Sequence, residues 1–136
     1  MTKAYLGIGT NLGDKEKNIL RAYEMIEERV GEITRRSSLY ETEPWGYHSE
    51  HSYLNSAICV DTELSPRQLL MATQRIEREM GRTQKSIDGH YHDRVIDIDI
   101  LLYGDETIDE PDLKIPHPLM QERDFVMNPL NEIKPK

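Results

Sequence analysis

The stretch DRVIDIDILLYG, residues 93–104, sets two carboxylates inside what reads as a β-strand. Asp is depleted in strands, so two of them in one strand need a reason. Residues two apart on a strand point to the same face, about 6.6 Å apart along the chain. Asp97 and Asp99 therefore share one face, and Ile96, Ile98, Ile100 and Leu102 share the other. A solvated face is one explanation, but such a face usually carries Thr, Lys or Gln. Two neighbouring carboxylates repel unless a cation lies between them. Mg²⁺ suits this arrangement, because it is commonly held by one or two carboxylates together with substrate phosphates. A carboxylate pair can also hold two metals for phosphoryl-type transfer.

Phosphates need positive partners, and basic residues bracket the pair: Arg82 and Lys85 enter the segment before it, and Arg94 stands three residues ahead of Asp97. Arg presents a planar fork to phosphate oxygens. His90 and His92, two apart, are weak evidence for a His-bound metal, because no further ligand spacing surrounds them. GIGTNLG has the wrong glycine spacing for a dinucleotide fingerprint, and no G-x-x-x-x-G-K-[ST] loop occurs, so a nucleotide would be held without either standard phosphate loop. Other residues suit a planar organic ligand. The turn TEPWG presents Trp45, while Tyr53 and Asn55 lie two apart on a strand and so share a face. An amide both donates and accepts hydrogen bonds, as the edge of a heterocycle requires. Phe125 and His117, the latter between two prolines, lie beyond the Asp strand. Core packing is the competing explanation for Tyr53 and Phe125, and edge solvation for Asn55.

These residues need a scaffold. At 136 residues the chain is expected to form one domain, 1–136, with a real core. A net charge of −8 disfavours a general nucleic-acid or membrane binder. Cys59 has no partner for an intrachain disulfide and reads as a small buried hydrophobe. The N-terminal apolar run is too short for a signal peptide or a membrane span, which points to a cytoplasmic protein. KAYLGIG alternates as a strand, and Asp14 is a candidate N-cap for a helix striped by Ile19, Tyr23, Ile26 and Val30. EITRRSSLYETE and YLNSAICVDTE read as strands. Ser65, Pro66 and Gln68 predict a capping box opening a second helix, striped by Leu69, Thr73, Ile76 and Met80 and stopped by Gly81. GDETIDEPD reads as an acidic turn region. The order predicts an α+β domain with helices on one face of a mostly antiparallel sheet, covering the Ile face of the Asp strand and leaving the Asp face open.

Taken in order, AYLGIGTNLGD, YETEPWG, YLN, TQRIEREMGR, DRVIDIDILLYG and IPHPLMQERDFV closely resemble the 6-hydroxymethyl-7,8-dihydropterin pyrophosphokinases of folate biosynthesis. The resemblance covers nearly the whole chain, and its Arg-x-x-Asp-x-Asp signature is specific. It implies a ferredoxin-like βαββαβ sandwich and a monomer that transfers pyrophosphate from ATP to the pterin's hydroxymethyl group. Asp97 and Asp99 would bind two Mg²⁺ ions, and Arg82 and Arg94 would hold phosphates during catalysis. Gln74, Glu77, His117 and Arg123 would complete the ATP site. Thr42, Glu43, Pro44, Trp45, Tyr53, Asn55, Tyr91 and Phe125 would form the pterin pocket, with Tyr53 and Phe125 sandwiching the ring. The chain departs from the family pattern at Tyr91-His92-Asp93-Arg94, where Trp-Gly-Pro-Arg is usual, and at Gln84, where some members carry Arg. A non-catalytic ferredoxin-like RNA-binding module is the competing class; it needs a basic face, which the charge and the Asp pair oppose.

Overall fold

The computed structural model describes residues 1–42, 52–81, 95–118 and 120–134. Strand β1 (Thr2–Thr10) leads into helix α1 (Lys15–Arg29), then strands β2 (Gly31–Arg36), β3 (Tyr40–Thr42) and β4 (Tyr53–Thr62). Helix α2 (Pro66–Glu79), strand β5 (Asp97–Tyr103), the hairpin β6 (Ile108–Glu110) and β7 (Leu113–Ile115), and helix α3 (Asp124–Ile133) complete the order. The main sheet runs β2-β4-β1-β5, with β3 also on β4. All of its described pairings are antiparallel.

Local chemistry explains the helix boundaries. The Asp14 carboxylate accepts from the Lys17 N–H at 3.2 Å, satisfying an otherwise orphaned amide of the first turn. Ser65 and Gln68 form the reciprocal capping box, at 3.2 and 2.9 Å, just ahead of Pro66. Gly81 takes φ +110, a conformation that glycine adopts with least strain, and α2 ends there.

The sheet separates two cores. On one face Ala4, Leu6 and Ile8 pack with the Ile19, Tyr23 and Ile26 stripe of α1, with Leu69 and Ile76 of α2, and with Ile96, Ile98 and Ile100. On the other, Tyr5, Ala57, Cys59 and Leu101 pack against Val126, Leu130 and Ile133 of α3. Helices therefore occupy both faces, not one. Two further expectations change. Leu102 leaves the isoleucine face and packs with the second core. The cause is a β-bulge: Leu6 pairs with Ile100 while Tyr5 pairs with Leu102, so the alternation flips at Leu101. The acidic region read as a turn also contains β6, paired antiparallel to β7. Arg67, near the start of α2, grips that hairpin through Glu110 and through Asp112 at 2.7 Å.

Strand β5 lies at the sheet edge, so alternate backbone N–H groups face away from β1. One of them, from Ile98 between the two aspartates, donates to the Glu77 carboxylate at 2.8 Å. Glu77 is only 4% exposed, so the bond is made away from water. Glu77→Ala leaves a buried donor unsatisfied and is expected to cost about 1.5–3 kcal/mol, with Glu77→Gln, which keeps an acceptor, losing less. Urea unfolding checks this, and a wild-type midpoint in Glu77→Ala would contradict it.

Candidate active site

The face of β5 that carries the aspartates is covered by α3 only at its Leu101 end. At the other end Asp97 and Asp99 line a cavity of about 420 Å³. Its walls come from three directions. Gln74 and Glu77 project from α2, and Asp112 and Lys114 from the β6–β7 hairpin, while His117 and Arg123 come from the segment leading into α3. Six of the residues expected at the nucleotide and the metals thus share one space.

The sequence folds that way for local reasons. Ladder pairing to β1 sets Asp97 opposite Gly9 and Asp99 opposite Gly7, so glycines flank both carboxylates on the strand side. His117 is held to β5 by its backbone N–H, which donates to Leu101 O at 3.1 Å. Its ring Nε2 stands 3.9 Å from Asp99 Oδ1, too far for a hydrogen bond but close enough to feel the charge. Arg123 forms the N-cap of α3 and is 8% exposed. Its guanidinium lies over the Phe125 ring, 5.8 Å from the centroid, and so joins Phe125 to the cavity wall.

Of the expected planar-ligand residues, Asn55 stands across β1 from Asp97 of this cavity. Asn55 and Asp97 are the two ladder partners of Gly9, one on each side, so all three stand abreast on one face. Tyr53 pairs with Thr42 of β3 at the end of β4. Glu43, Pro44, Trp45, Arg82, Tyr91 and Arg94 lie outside the described residues. Leu70, Asp112, Lys114 and Pro118 also line the cavity, and no sequence signal points to them. No motif marked the hairpin pair, because those residues reach the site only through the fold of the hairpin.

Among the described residues no group of three or more His, Cys, Asp or Glu could cage a metal. Two carboxylates beside open volume are instead the donor set of an ion that completes its coordination with water and substrate oxygens. That is the habit of Mg²⁺, and the residues fit it. Burial pushes the His117 imidazole down from its ordinary pKa, the Arg123 cation adds to this, and Asp97 opposes both. Without added ligands, an NMR titration of His117 is therefore expected to give a midpoint below the ordinary value of about 6.5. A midpoint at or above that value would contradict the arrangement.

The model of the 7,8-dihydro-6-hydroxymethylpterin-pyrophosphokinase family matches residues 5–135. A 2-amino-4-hydroxy-6-hydroxymethyldihydropteridine pyrophosphokinase of Porphyromonas gingivalis is 49% identical over 136 residues, covering 99% of this chain and 92% of the relative. One from Aquifex aeolicus is 43% identical over 135 residues, covering 99% and 82%. Among solved structures, the wild-type HPPK-DHPS of Plasmodium falciparum with SDX-DHP superposes with a TM-score of 0.75 at 20% identity. The match covers 99% of this chain but spans only 40% of that one, and shows a shared fold. With the family model matched almost end to end and relatives this similar along their length, the chain belongs to the 7,8-dihydro-6-hydroxymethylpterin-pyrophosphokinase family.

Proposed function

We propose that the protein transfers the terminal diphosphate of ATP to the hydroxymethyl oxygen of 6-hydroxymethyl-7,8-dihydropterin, releasing AMP. The observation that carries the reading is the meeting of Asp97, Asp99, His117 and Arg123 in one cavity, with Asn55 two strands away on the same sheet face. In this reading Asp97 and Asp99 hold two Mg²⁺ ions, which when bound neutralise phosphate charge and lower the cost of bringing a nucleophile to phosphorus. Arg123 and His117 face the phosphates, and Arg82 and Arg94 are assigned to them by their place in the family signature. Gln74 lines the nucleotide part of the cavity.

Tyr53 and Phe125 sandwich the pterin ring, Asn55 reads its edge, and Thr42, Glu43, Pro44, Trp45 and Tyr91 complete that pocket. The pterin oxygen forms its bond to the β-phosphorus as the bond to the α-phosphate's bridging oxygen breaks. Catalysis is by position and electrostatics, with no protein nucleophile. The reading takes the enzyme as a cytoplasmic monomer acting on two small molecules. Its net charge of −8 disfavours nucleic acid, and no helix among the described residues is long and apolar enough to cross a membrane.

With Mg²⁺, ATP and the hydroxymethyl pterin, the wild-type protein is expected to produce AMP in step with pterin diphosphate. Asp97→Asn and Asp99→Asn remove charge at nearly constant shape and are each expected to lower turnover about 100-fold or more, on the scale of losing a preorganised electrostatic contact. AMP production undiminished in both variants would overturn the metal assignment. A folded wild type that binds the pterin without making AMP would point to a binding protein instead.

A further inference from the structure

Gly9 has no side chain to bind a ligand, yet its geometry is specific. It is the penultimate residue of β1 and is laddered on both sides, and a glycine in a paired strand often marks a place that must stay open. Its backbone is not the reason for glycine, since the positive φ values among the described residues are at Gly13, Gly81 and Gly104. Space is the reason. A Cβ on Gly9 would fall 2.8 Å from Asn55 Oδ1 and 3.6 Å from the Tyr53 ring. The first distance is too short for a carbon and an oxygen that are not bonded, so the Asn55 amide occupies the room that any side chain at position 9 would need. Gly7, one step along the same face, is different: a Cβ there meets only Leu101, at 3.5 Å, an ordinary contact.

We propose that Gly9 is a positioning residue for the pterin subsite, whose missing side chain lets the Asn55 amide lean across β1 in the direction of Asp97. This inference rests on the reading that Asn55 binds the pterin. The register supplies its geometry. Asn55 and Asp97 flank Gly9 on adjacent strands, two strand spacings or about 10 Å apart between Cα atoms. A bicyclic ring with one exocyclic carbon spans such a gap only if nothing rises from the strand between. Asn55 is 6% exposed, so its amide has little free volume into which to retreat. A methyl group at position 9 would tip the amide and misalign the hydrogen bonds that discriminate one heterocycle edge from another. The clash is with the end of a side chain and not with backbone, so the strand itself can accommodate alanine.

A double-mutant cycle on Gly9→Ala and Asn55→Ala tests this, reading pterin and ATP-analogue affinities separately by calorimetry. Asn55→Ala is expected to weaken pterin binding about tenfold or more, and Gly9→Ala about tenfold, the scale of one or more misaligned hydrogen bonds. ATP-analogue affinity should stay within about twofold, and Gly9→Ala should add less than about twofold in the Asn55→Ala background, since coupled sites are not additive. Wild-type pterin affinity in Gly9→Ala, with loss in Asn55→Ala, overturns the role of Gly9 and leaves the parent reading standing. So does a Gly9→Ala penalty that persists in full without Asn55. A wild type that binds no pterin, or an Asn55→Ala variant that binds it fully, overturns the parent reading and this inference with it. If Gly9→Ala does not fold, a crystal structure of the wild type with the pterin decides: the Asn55 amide is expected both over Gly9 and on the ring edge, and an amide turned away from either overturns the proposal.

Discussion

The site depends on the peptide between two aspartates. Asp97 and Asp99 stand on an edge strand, which by itself is the least constrained part of a sheet. Here the edge is held on both sides. The ladder to β1 fixes one, and the buried Glu77 carboxylate takes the outward N–H of Ile98 at 2.8 Å on the other. Since Ile98 is the residue between the aspartates, fixing its peptide fixes the start of both side chains. Two like charges can then be kept close without the strand bending to separate them. Helix α2 is thus part of the site twice over, as the wall that carries Gln74 and as the anchor that carries Glu77.

The same strand divides the molecule's labour. Its isoleucines and Tyr103 complete the core under α1 and α2, and at the bulge Leu101 and Leu102 complete the core under α3. The bulge lets α3 pack firmly at one end of a face whose other end stays open. Glu132 moors that helix by accepting from Tyr40 Oη at 2.6 Å and from the Ser38 backbone at 2.8 Å. Arg123 and Phe125, at the opposite end of α3, are thereby held beside the cavity. A net charge of −8 makes the Arg123 cation in this cavity the more pointed, because the chain as a whole would repel a polyphosphate.

What could be read from the sequence was what depends on local period and local chemistry. The shared face of Asp97 and Asp99 follows from a two-residue repeat, and the capping box at Ser65 from four adjacent letters. The stripes of α1 and α2 were legible for the same reason. What needed the structure was whatever two distant segments decide together. Leu102 changes face because β1 and β5 slip by one residue, which neither strand announces alone. Glu77 was expected at the nucleotide, but one of its oxygens serves a backbone N–H, a partner without a letter of its own. In the sequence Gly9 reads only as part of a failed nucleotide fingerprint, because Asn55, which lies against it, comes from the distant strand β4. Helix α3 carries a stripe, Val126, Leu130 and Ile133 at spacings of four and three, but Pro129 inside it argues against a helix when only the letters are read.

In the proposed function, the Asp97–Asp99 face gathers divalent cation and polyphosphate together. Paramagnetic NMR with Mn²⁺ and a non-hydrolysable ATP analogue tests it without requiring turnover. Line broadening is expected to centre on Asp97, Ile98 and Asp99, to extend to His117, and to weaken in Asp97→Asn and Asp99→Asn. Broadening centred on the acidic hairpin around Asp109 and Asp112, with the Asp97–Ile98–Asp99 signals still sharp, would contradict it.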